Sequence, residues 1–463
     1  EAVTRCPRHS MNDTQASSTV EDQPAPVCSA SLLPPDDPQR IALHNEVHAR
    51  PAARIRLPAL VTLVAVLNDG VSREDERAHL CHLPGQQALS LAELQDNFLR
   101  LRLDGYTVKW ERHTEFTRYS IVQPLPAGAG LGNSMPALLD HLVTPAGWLA
   151  QIPGRTVAAI QLVMLSADLT AGPALMEQAK QWLRRRTVVG SQLGSSQAWA
   201  ITDLQLNADG FERMLVLAPP GTSEAAAGRI AMRLLEVETY RLMALRGLPV
   251  AKSLAPVLFA AEAELADLTA QLETSSVSEQ DLLDRLIGLA ARVERATAAH
   301  SFRFSATQAY ADLVSQRIEE LRELSLPSTQ TLGAFMRRRL APAMATVAST
   351  AQRLTSLSER IARTSALLRT RVDIATEGQN QQLLAKLTHG QELQLRLQST
   401  VEGLSIAAIS YYVVSLLLYG AKALKGLGLP VQPELAAGAL VPVVLWGVWR
   451  TTRRIHEKLH AGH

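Results

Sequence analysis

Two short segments hold the residue types with which proteins bind metal ions. The first contains His44, Glu46, His48 and Arg50, and the second contains His79, Cys81 and His82. Two histidines four residues apart can share a metal ion on one face of a helix. In the first segment, however, the glutamate lies between the histidines and the arginine disfavours a second cation. A tetrahedral site also needs three or four converging ligands. We therefore predict no metal site and interpret the first segment as a polar structural motif.

Two further candidates lack the spacing of a catalytic or phosphate-binding motif. His113 lies between Glu111 and Glu115 in a segment typical of a strand pair, and we interpret these three residues as surface charge. Thr222 and Ser223 precede a predicted helix, where such residues are typical N-caps. Their turn lacks the glycines and the lysine of a phosphate loop. The sequence therefore predicts neither an enzyme nor a bound cofactor.

The composition excludes some classes of protein. The 463 residues carry 46 basic and 44 acidic side chains, and a net charge of +2 gives no field over the whole surface for nucleic acid. Three cysteines form no disulfide framework. Aromatic residues make up only 4%, and the apolar residues are mostly Ala, Leu and Val, which is typical of a helical protein. We expect no nucleic-acid partner.

The strongest signal lies near the C-terminus. Residues 404–421 form an uncharged run of eighteen, which corresponds to about 27 Å of helix, close to the thickness of a bilayer core. A turn with glycines and prolines separates this run from residues 435–449, a second uncharged run of fifteen. The tail 451–463 is basic, and short cytoplasmic flanks collect Lys and Arg. The pattern predicts a two-helix transmembrane hairpin over 403–450, embedded in a lipid bilayer, with both termini in the cytoplasm.

The rest of the chain changes character near residue 250. Residues 1–40 are polar and rich in proline, and we expect a disordered leader without a secretory signal. Residues 41–250 alternate between strand-like and helix-like segments, which predicts a cytoplasmic α/β domain. Residues 251–402 are almost entirely helical, and their length predicts a long helical hairpin or a coiled-coil stalk. The predicted fold class is α+β.

Periodicity predicts individual elements within the α/β domain. Apolar and β-branched runs predict strands over 59–66, 156–165, 198–206 and 212–218, and a strand pair over 106–122. Leu91, Leu94, Phe98 and Leu101 follow a spacing of three and four, which predicts a helix over residues 90–104.

The stalk carries a leucine seam that one helix cannot bury on itself. Leu354, Ile361 and Leu368 are seven residues apart. The preceding helical arm is shorter than the stalk, so the part near the membrane is left uncovered. This part includes Leu383, Leu387, Leu393 and Leu397. We expect other copies of the chain to cover it, which predicts a homo-oligomer.

The first predicted span carries side chains that could line a pore or pack between helices. They are Ser405, Ser410, Ser415, Tyr419, Gly420 and Lys422. The first functional hypothesis is therefore an oligomeric channel- or transporter-like assembly that conducts an ion. Neither span core contains an ionisable residue, and such residues usually mark ion pathways. The alternative hypothesis is a membrane-tethered scaffold or regulatory protein without transport activity.

Six segments together resemble a known family. They are residues 44–51, 109–116, 227–241, 302–310, 336–344 and 395–412. The chain resembles a bacterial family of uncharacterised membrane-anchored proteins, domain-of-unknown-function family 3422, over about residues 40–455. The resemblance implies a location in the bacterial inner membrane and a shared architecture, and it implies no activity.

A weaker likeness is architectural. The order of an α/β domain, a long helix, two spans and a basic tail is similar to the CorA-type magnesium channels. Tyr419 and Gly420 match the signature of those channels at the end of the first span, whereas Ala421 and Lys422 depart from it. A lysine at the entrance of a cation pore would repel cations. The likeness therefore implies a stalk-and-pore shape without magnesium selectivity.

Overall fold

The structure is a computed structural model that describes residues 37–40, 43–44, 52–132, 136–194, 198–274, 277–426 and 433–460. It has a mixed α+β fold with a nine-stranded sheet and long helices. The chain divides into two compact units. The first contains the residues up to 252 together with 302–349, and the second contains 253–301 and the residues from 350 onward.

One sheet, which lies in the first unit, contains all nine described strands. They are β1 (Ala59–Leu67), β2 (Phe98–Leu103), β3 (Tyr106–Arg112), β4 (Phe116–Pro124), β5 (Arg155–Ser166), β6 (Val189–Leu193), β7 (Trp199–Leu206), β8 (Glu212–Ala218) and β9 (Glu323–Ser325). Their order is β2-β3-β4-β1-β5-β8-β7-β6-β9, and β5 and β8 are the parallel pair in an otherwise antiparallel sheet. Because β1 has a neighbour on each side and is buried along almost its whole length, its sequence is a near-continuous apolar run.

Seven α-helices accompany the sheet in the described part of the chain. They are α1 (Arg73–Leu80), α2 (Gly172–Leu183), α3 (Glu224–Leu245), α4 (Gly247–Thr274), α5 (Glu279–Leu321), α6 (Leu332–Gly426) and α7 (Pro433–His460). Helices α4, α5 and α6 each contribute residues to both units.

Apolar side chains cover both faces of the sheet. On one face, β1, β5 and β8 pack against α3, the C-terminal part of α5 and the first turns of α6. On the other face, α2 packs against the centre of the sheet with Trp182. The segment around α1 covers β2, β3 and β4 on the same side, where Trp110, Tyr119 and Trp148 are buried.

One glycine of α3 allows the chain that leads into β1 to pass close to the helix. A Cβ atom on Gly228 would lie 1.6 Å from the carbonyl oxygen of Ala53, which no side chain can tolerate. Two residues later, the amide of Ile55 donates a hydrogen bond of 3.0 Å to the carbonyl oxygen of Glu224. The contact therefore fixes the entry to β1 on the N-terminal turns of α3.

The predicted helix over residues 90–104 is wrong. Only Leu91–Leu94 is helical, as a single 3-10 turn, and β2 follows. The leucines of β2 pack into the core beneath α1, and they alternate with the arginines of the same strand. The apolar residues therefore repeat every two positions, as in a strand. Asp104 and Gly105 then form a two-residue hairpin to β3, with Gly105 at φ +76°. An Asp-Gly pair favours this turn, and the helical spacing of the apolar residues obscured it.

In the second unit, α4, α5 and α6 each bury apolar side chains. They are Leu258, Leu265 and Leu268 from α4, Leu282, Leu286 and Leu289 from α5, and Leu354, Leu357, Ile361 and Leu368 from α6. Arg353 donates to both carboxylate oxygens of Glu262, at 3.1 and 2.8 Å. Near the end of α4, Arg371 donates a hydrogen bond of 2.6 Å to the carbonyl oxygen of Leu272. The predicted seam at Leu354, Ile361 and Leu368 is thus buried within the chain.

Beyond this bundle, α6 continues without cover. Every residue from 379 to 401 is exposed, a stretch of about 35 Å at 1.5 Å per residue. We call residues 379–401 the bare segment.

Candidate functional site

A network of alternating charges, buried at its centre and partly exposed at its edge, crosses the interface between the sheet and two helices. Its members are Lys109 and Glu111 from β3, Arg118 from β4, Arg233 and Glu236 from α3, and Arg317 and Glu320 from α5. At its centre, Arg118 Nη2 lies 2.8 Å from Glu111 Oε2 and 3.7 Å from Glu236 Oε1. Burial alone would raise the pKa of Glu111, but the charges of Arg118 and Lys109 hold this pKa below its ordinary value. The network links the sheet to α3 and α5 through ionised groups.

The interpretation of Glu111, His113 and Glu115 as surface charge is wrong. Glu111 is only 2% exposed and is held by Arg118 and Lys109. Glu115 accepts hydrogen bonds of 2.5 and 3.2 Å from Arg303 of α5. The ring of His113 stacks on Phe116 at 4.5 Å. Helices α3 and α5 cover this part of the sheet, and they supply charges that complement those of the strands.

A cleft opens beside the turn between β3 and β4. It has a volume of about 470 Å³, and its polar lining comes from Arg73 of α1, Asn97, Arg112 of β3, His113 and Thr114. Tyr240 of α3, Tyr310 and Leu313 of α5 complete the wall, and the two tyrosine rings stack at 5.9 Å. We call this the arginine cleft.

Hydrogen bonds hold the two arginines of the cleft. Asn97 adopts a positive φ of 57°, which asparagine tolerates, and its Oδ1 accepts a 2.7 Å hydrogen bond from Arg73 Nη2. Arg112 donates from Nη2 to the carbonyl oxygen of Val71 at 2.8 Å, and its Nη1 lies 2.7 Å from Glu76 Oε2. A second cavity of about 700 Å³ shares Arg112 and Thr114 with the cleft.

The second histidine segment is part of an aromatic core. His79 is buried, and its ring stacks on Trp148 at 4.4 Å and meets Tyr119 edge-on at 5.7 Å. The His82 ring lies 6.5 Å from the His79 ring. In the described ranges, no three His, Cys, Asp or Glu side chains come together as metal ligands. Burial, and then the nearby His82, lowers the pKa of His79 to about 4.

This lowered pKa predicts an acid-sensitive contribution to stability. An unfolded chain protonates histidine near pH 6.5, whereas the folded protein resists protonation of His79 until about pH 4. The unfolded state therefore binds the extra proton, and the free energy of unfolding falls as the pH falls from about 7 to 4. The slope from this residue is at most about 1.4 kcal/mol per pH unit.

Denaturation of the full chain and of a His79→Leu variant at pH 7, 6 and 5 measures this contribution. The backbone carbonyl of His79, which accepts a hydrogen bond from Trp148 Nε1, remains in the variant. We expect the variant to lose less stability between pH 7 and 5 than the unmodified protein. Equal losses in the two proteins would show that His79 is not protonated on unfolding.

The structure describes only part of the first histidine segment, but it describes the whole turn before α3. In the first histidine segment, His44 is exposed, and Glu46, His48 and Arg50 lie outside the described residues. Ser223 is the N-cap of α3 and accepts a 3.3 Å hydrogen bond from the amide of Ala226, which confirms the capping interpretation. Thr222 donates to the carbonyl oxygen of Pro219 at 2.8 Å within the preceding turn.

The candidate pore or packing residues all lie near the end of α6. Ser405 is exposed, Ser415 is half-buried, and Ser410 is only 4% exposed. Residues five apart on an α-helix are rotated by about 140°, so the three serines point in three directions. Gly420 is exposed, and the Lys422 ammonium lies 5.9 Å from the centre of the exposed Tyr419 ring. In α7, Arg450 lies 4.9 Å from the Trp446 ring.

Two helical stretches are long and apolar enough to cross a bilayer by length and composition, Glu224–Thr274 and Leu332–Ala423. Within the apolar segment of eighteen residues in each stretch, 33% is buried in Glu224–Thr274, whereas only 6% is buried in Leu332–Ala423. Gly438–Thr451 is a shorter apolar helical stretch. Both stretches are compatible with membrane association by length and composition, and the first contains α3, which packs against the sheet.

Three of the segments that carry the family resemblance meet in the network and the cleft. They are residues 109–116, 227–241 and 302–310. The model of a family described as a protein of unknown function (DUF3422) matches residues 35–459. No curated protein and no solved structure matches the chain, so the likeness to CorA-type channels is unsupported. Because the family match covers nearly the whole chain, the chain belongs to the DUF3422 family.

Proposed function

We propose that the chain is a membrane-tethered, self-associating scaffold or regulatory protein whose sheet-bearing unit lies in the cytoplasm. The observation that carries the proposal is the end of α6, where an uncharged run of eighteen residues follows the bare segment. Leu404, Tyr411 and Leu416 in this run are each 70% exposed or more. Exposed apolar side chains in such number are unfavourable in water and favourable in a bilayer.

The ends of the two apolar helices support a hairpin that crosses the membrane. Tyr419 with Lys422 and Trp446 with Arg450 form pairs of an aromatic ring and a cation, which suit the two membrane–water interfaces. The basic tail after residue 450 favours a cytoplasmic C-terminus. An even number of spans then gives an N-terminus on the same side. We propose the bacterial inner membrane because the family resemblance implies it.

Reporter fusions test this topology. A cytoplasmic reporter at His463 should be active, and a periplasmic reporter inserted between residues 422 and 434 should be active. An active periplasmic reporter at His463 would contradict the proposed orientation.

The bare segment supports self-association. An isolated helix with exposed leucines and few charges is only marginally stable in water, since most helix stability comes from packing. Two rows of positions, each with a spacing of seven, run from the bare segment into the apolar run and are apolar except at Gly390 and Gln394, which is an interrupted coiled-coil pattern. One row is Leu383, Gly390, Leu397 and Leu404, and the other is Leu387, Gln394, Val401 and Ala408. Copies anchored in one membrane share one orientation, so we propose a parallel arrangement of α6 helices.

A tether fits the spans better than a channel. The three serines of the first span do not share a face, and neither apolar run contains an ionisable residue. The buried, small Ser410 suits close packing of helices. Ion flux through vesicles that contain the purified protein separates the two functions. We expect no flux above that of empty vesicles, and a flux that depends on the protein would establish the channel hypothesis instead.

A further inference from the structure

The arginine cleft holds more positive charge than the chain neutralises, because Arg73 and Arg112 share the single carboxylate of Glu76. Arg73 donates a hydrogen bond to the neutral amide of Asn97, and its Nε is buried without a hydrogen-bond partner. Among the residues that the structure describes, Arg73 has no carboxylate within ion-pair distance. The nearby Glu76 is held by Arg112 at 2.7 Å and by the hydroxyl of Thr117 at 2.6 Å. A partly buried guanidinium without an anion is unfavourable, so a bound anion would stabilise it.

The other side chains that line the arginine cleft add no negative charge. The side chains that line the cleft include two arginines and a histidine but no aspartate or glutamate. Thr114 adds an exposed hydroxyl at the rim. Burial, followed by the charge of Glu115 and a hydrogen bond to its carboxylate, raises the pKa of Tyr310, so its hydroxyl stays protonated and donates to Glu115.

The neighbouring cavity is lined by charges of both signs. Arg246 lines it, and burial together with the charge of Arg303 lowers the pKa of Arg246 below its ordinary value. Glu115, which Arg303 holds, and Asp69 also line this cavity. The neighbouring cavity contains carboxylates that offset its arginines, whereas the arginine cleft contains none, so the excess positive charge lies in the cleft.

We propose that the arginine cleft binds a small organic oxyanion, a phosphate or carboxylate compound of metabolite size, through Arg73 and Arg112. The planar fork of a guanidinium matches the oxygens of phosphate and carboxylate. A volume of about 470 Å³ exceeds the size of an inorganic ion and lies in the range of small-molecule sites. The Tyr310 ring and Leu313 offer apolar surface to the remainder of the ligand. The proposal does not depend on the membrane anchor or on self-association.

Calorimetric titration of the full chain in detergent tests the site. The probes are pyrophosphate for the phosphate class and citrate for the carboxylate class, at constant ionic strength set with chloride. We expect saturable binding of one probe to the unmodified protein and at least about tenfold weaker binding to Arg73→Gln, since one charge-assisted hydrogen bond contributes that much. The probe that binds identifies the class of ligand.

The matched control is Arg229→Gln, which removes an exposed arginine on α3 that does not line the cleft. It should bind the probe as the unmodified protein does. If Arg73→Gln fails to fold, Thr114→Val replaces it, because Thr114 is exposed, and it should weaken binding several-fold. The proposal is overturned if neither probe binds saturably, if cleft variants bind normally, or if Arg229→Gln weakens binding equally.

Discussion

Replacing Glu111 with glutamine should lower the free energy of unfolding by about 3–5 kcal/mol, the cost of removing one partner from a buried ion pair. Glu111 is 2% exposed and lies between Lys109 Nζ at 3.1 Å and Arg118 Nη2 at 2.8 Å. The substitution keeps the shape of the side chain but leaves two buried cations, with Glu236 at 3.7 Å as the nearest remaining anion of Arg118. Denaturant unfolding followed by tryptophan fluorescence measures the change, because Trp110, Trp148 and Trp182 are buried around the same sheet.

Glu320→Gln is the control from the same network. Its carboxylate pairs with Arg317 at 2.7 Å and with Arg233 at 3.2 Å, but its side chain is 32% exposed. Water can solvate these groups when the pair is lost, so we expect a loss below about 1 kcal/mol. Equal effects of the two substitutions would contradict the central place of Glu111 in the network.

A double substitution in the bare segment, Leu387→Glu with Leu397→Glu, should convert the proposed oligomer into a single chain. These leucines are 57% and 68% exposed in one copy, and they lie in the two rows of the coiled-coil pattern. Packing between copies would bury them, and carboxylates of like charge at those positions would lose the apolar contact and repel each other. Light scattering in detergent measures the particle mass, which should fall to that of one 50.3 kDa chain plus detergent.

The control places the same two charges on the opposite side of the helix. Ala385 and Ser399 are exposed and lie two residues from the leucines, which is about 200° around the helix axis. Ala385→Glu with Ser399→Glu should therefore leave the mass of the oligomer unchanged. A leucine variant that keeps the full mass would exclude the bare segment as the interface.

Much of the sheet follows from local sequence. The apolar run of β1 and the segment of β8 predict those strands, because both lie inside the sheet and are buried on both faces. Strand β9 is only three residues long, and it pairs with β6 far away in the chain, so no local pattern predicts it. For β2, the Asp104–Gly105 pair was the usable signal, since a two-residue hairpin requires strands on both sides.

The charged network and the cleft could not be predicted in the same way. Arg303 and Glu115 are 188 residues apart, and Arg317 and Glu236 are 81 residues apart. The sequence around a charged strand residue does not show whether a distant helix will cover that residue or whether it will face water. The partial signal was that segments 109–116, 227–241 and 302–310 carried the family resemblance together, and the structure brings them together in space.

Alkaline carbonate extraction of membranes from cells that express the unmodified chain tests the membrane anchor most directly. Extraction at high pH removes proteins held to a membrane by charge and leaves those held by apolar segments in the bilayer. We expect the full chain to stay in the membrane pellet, because the proposed hairpin places residues 404–421 and 435–449 in the hydrocarbon core. Release of the chain into the supernatant would contradict the membrane tether.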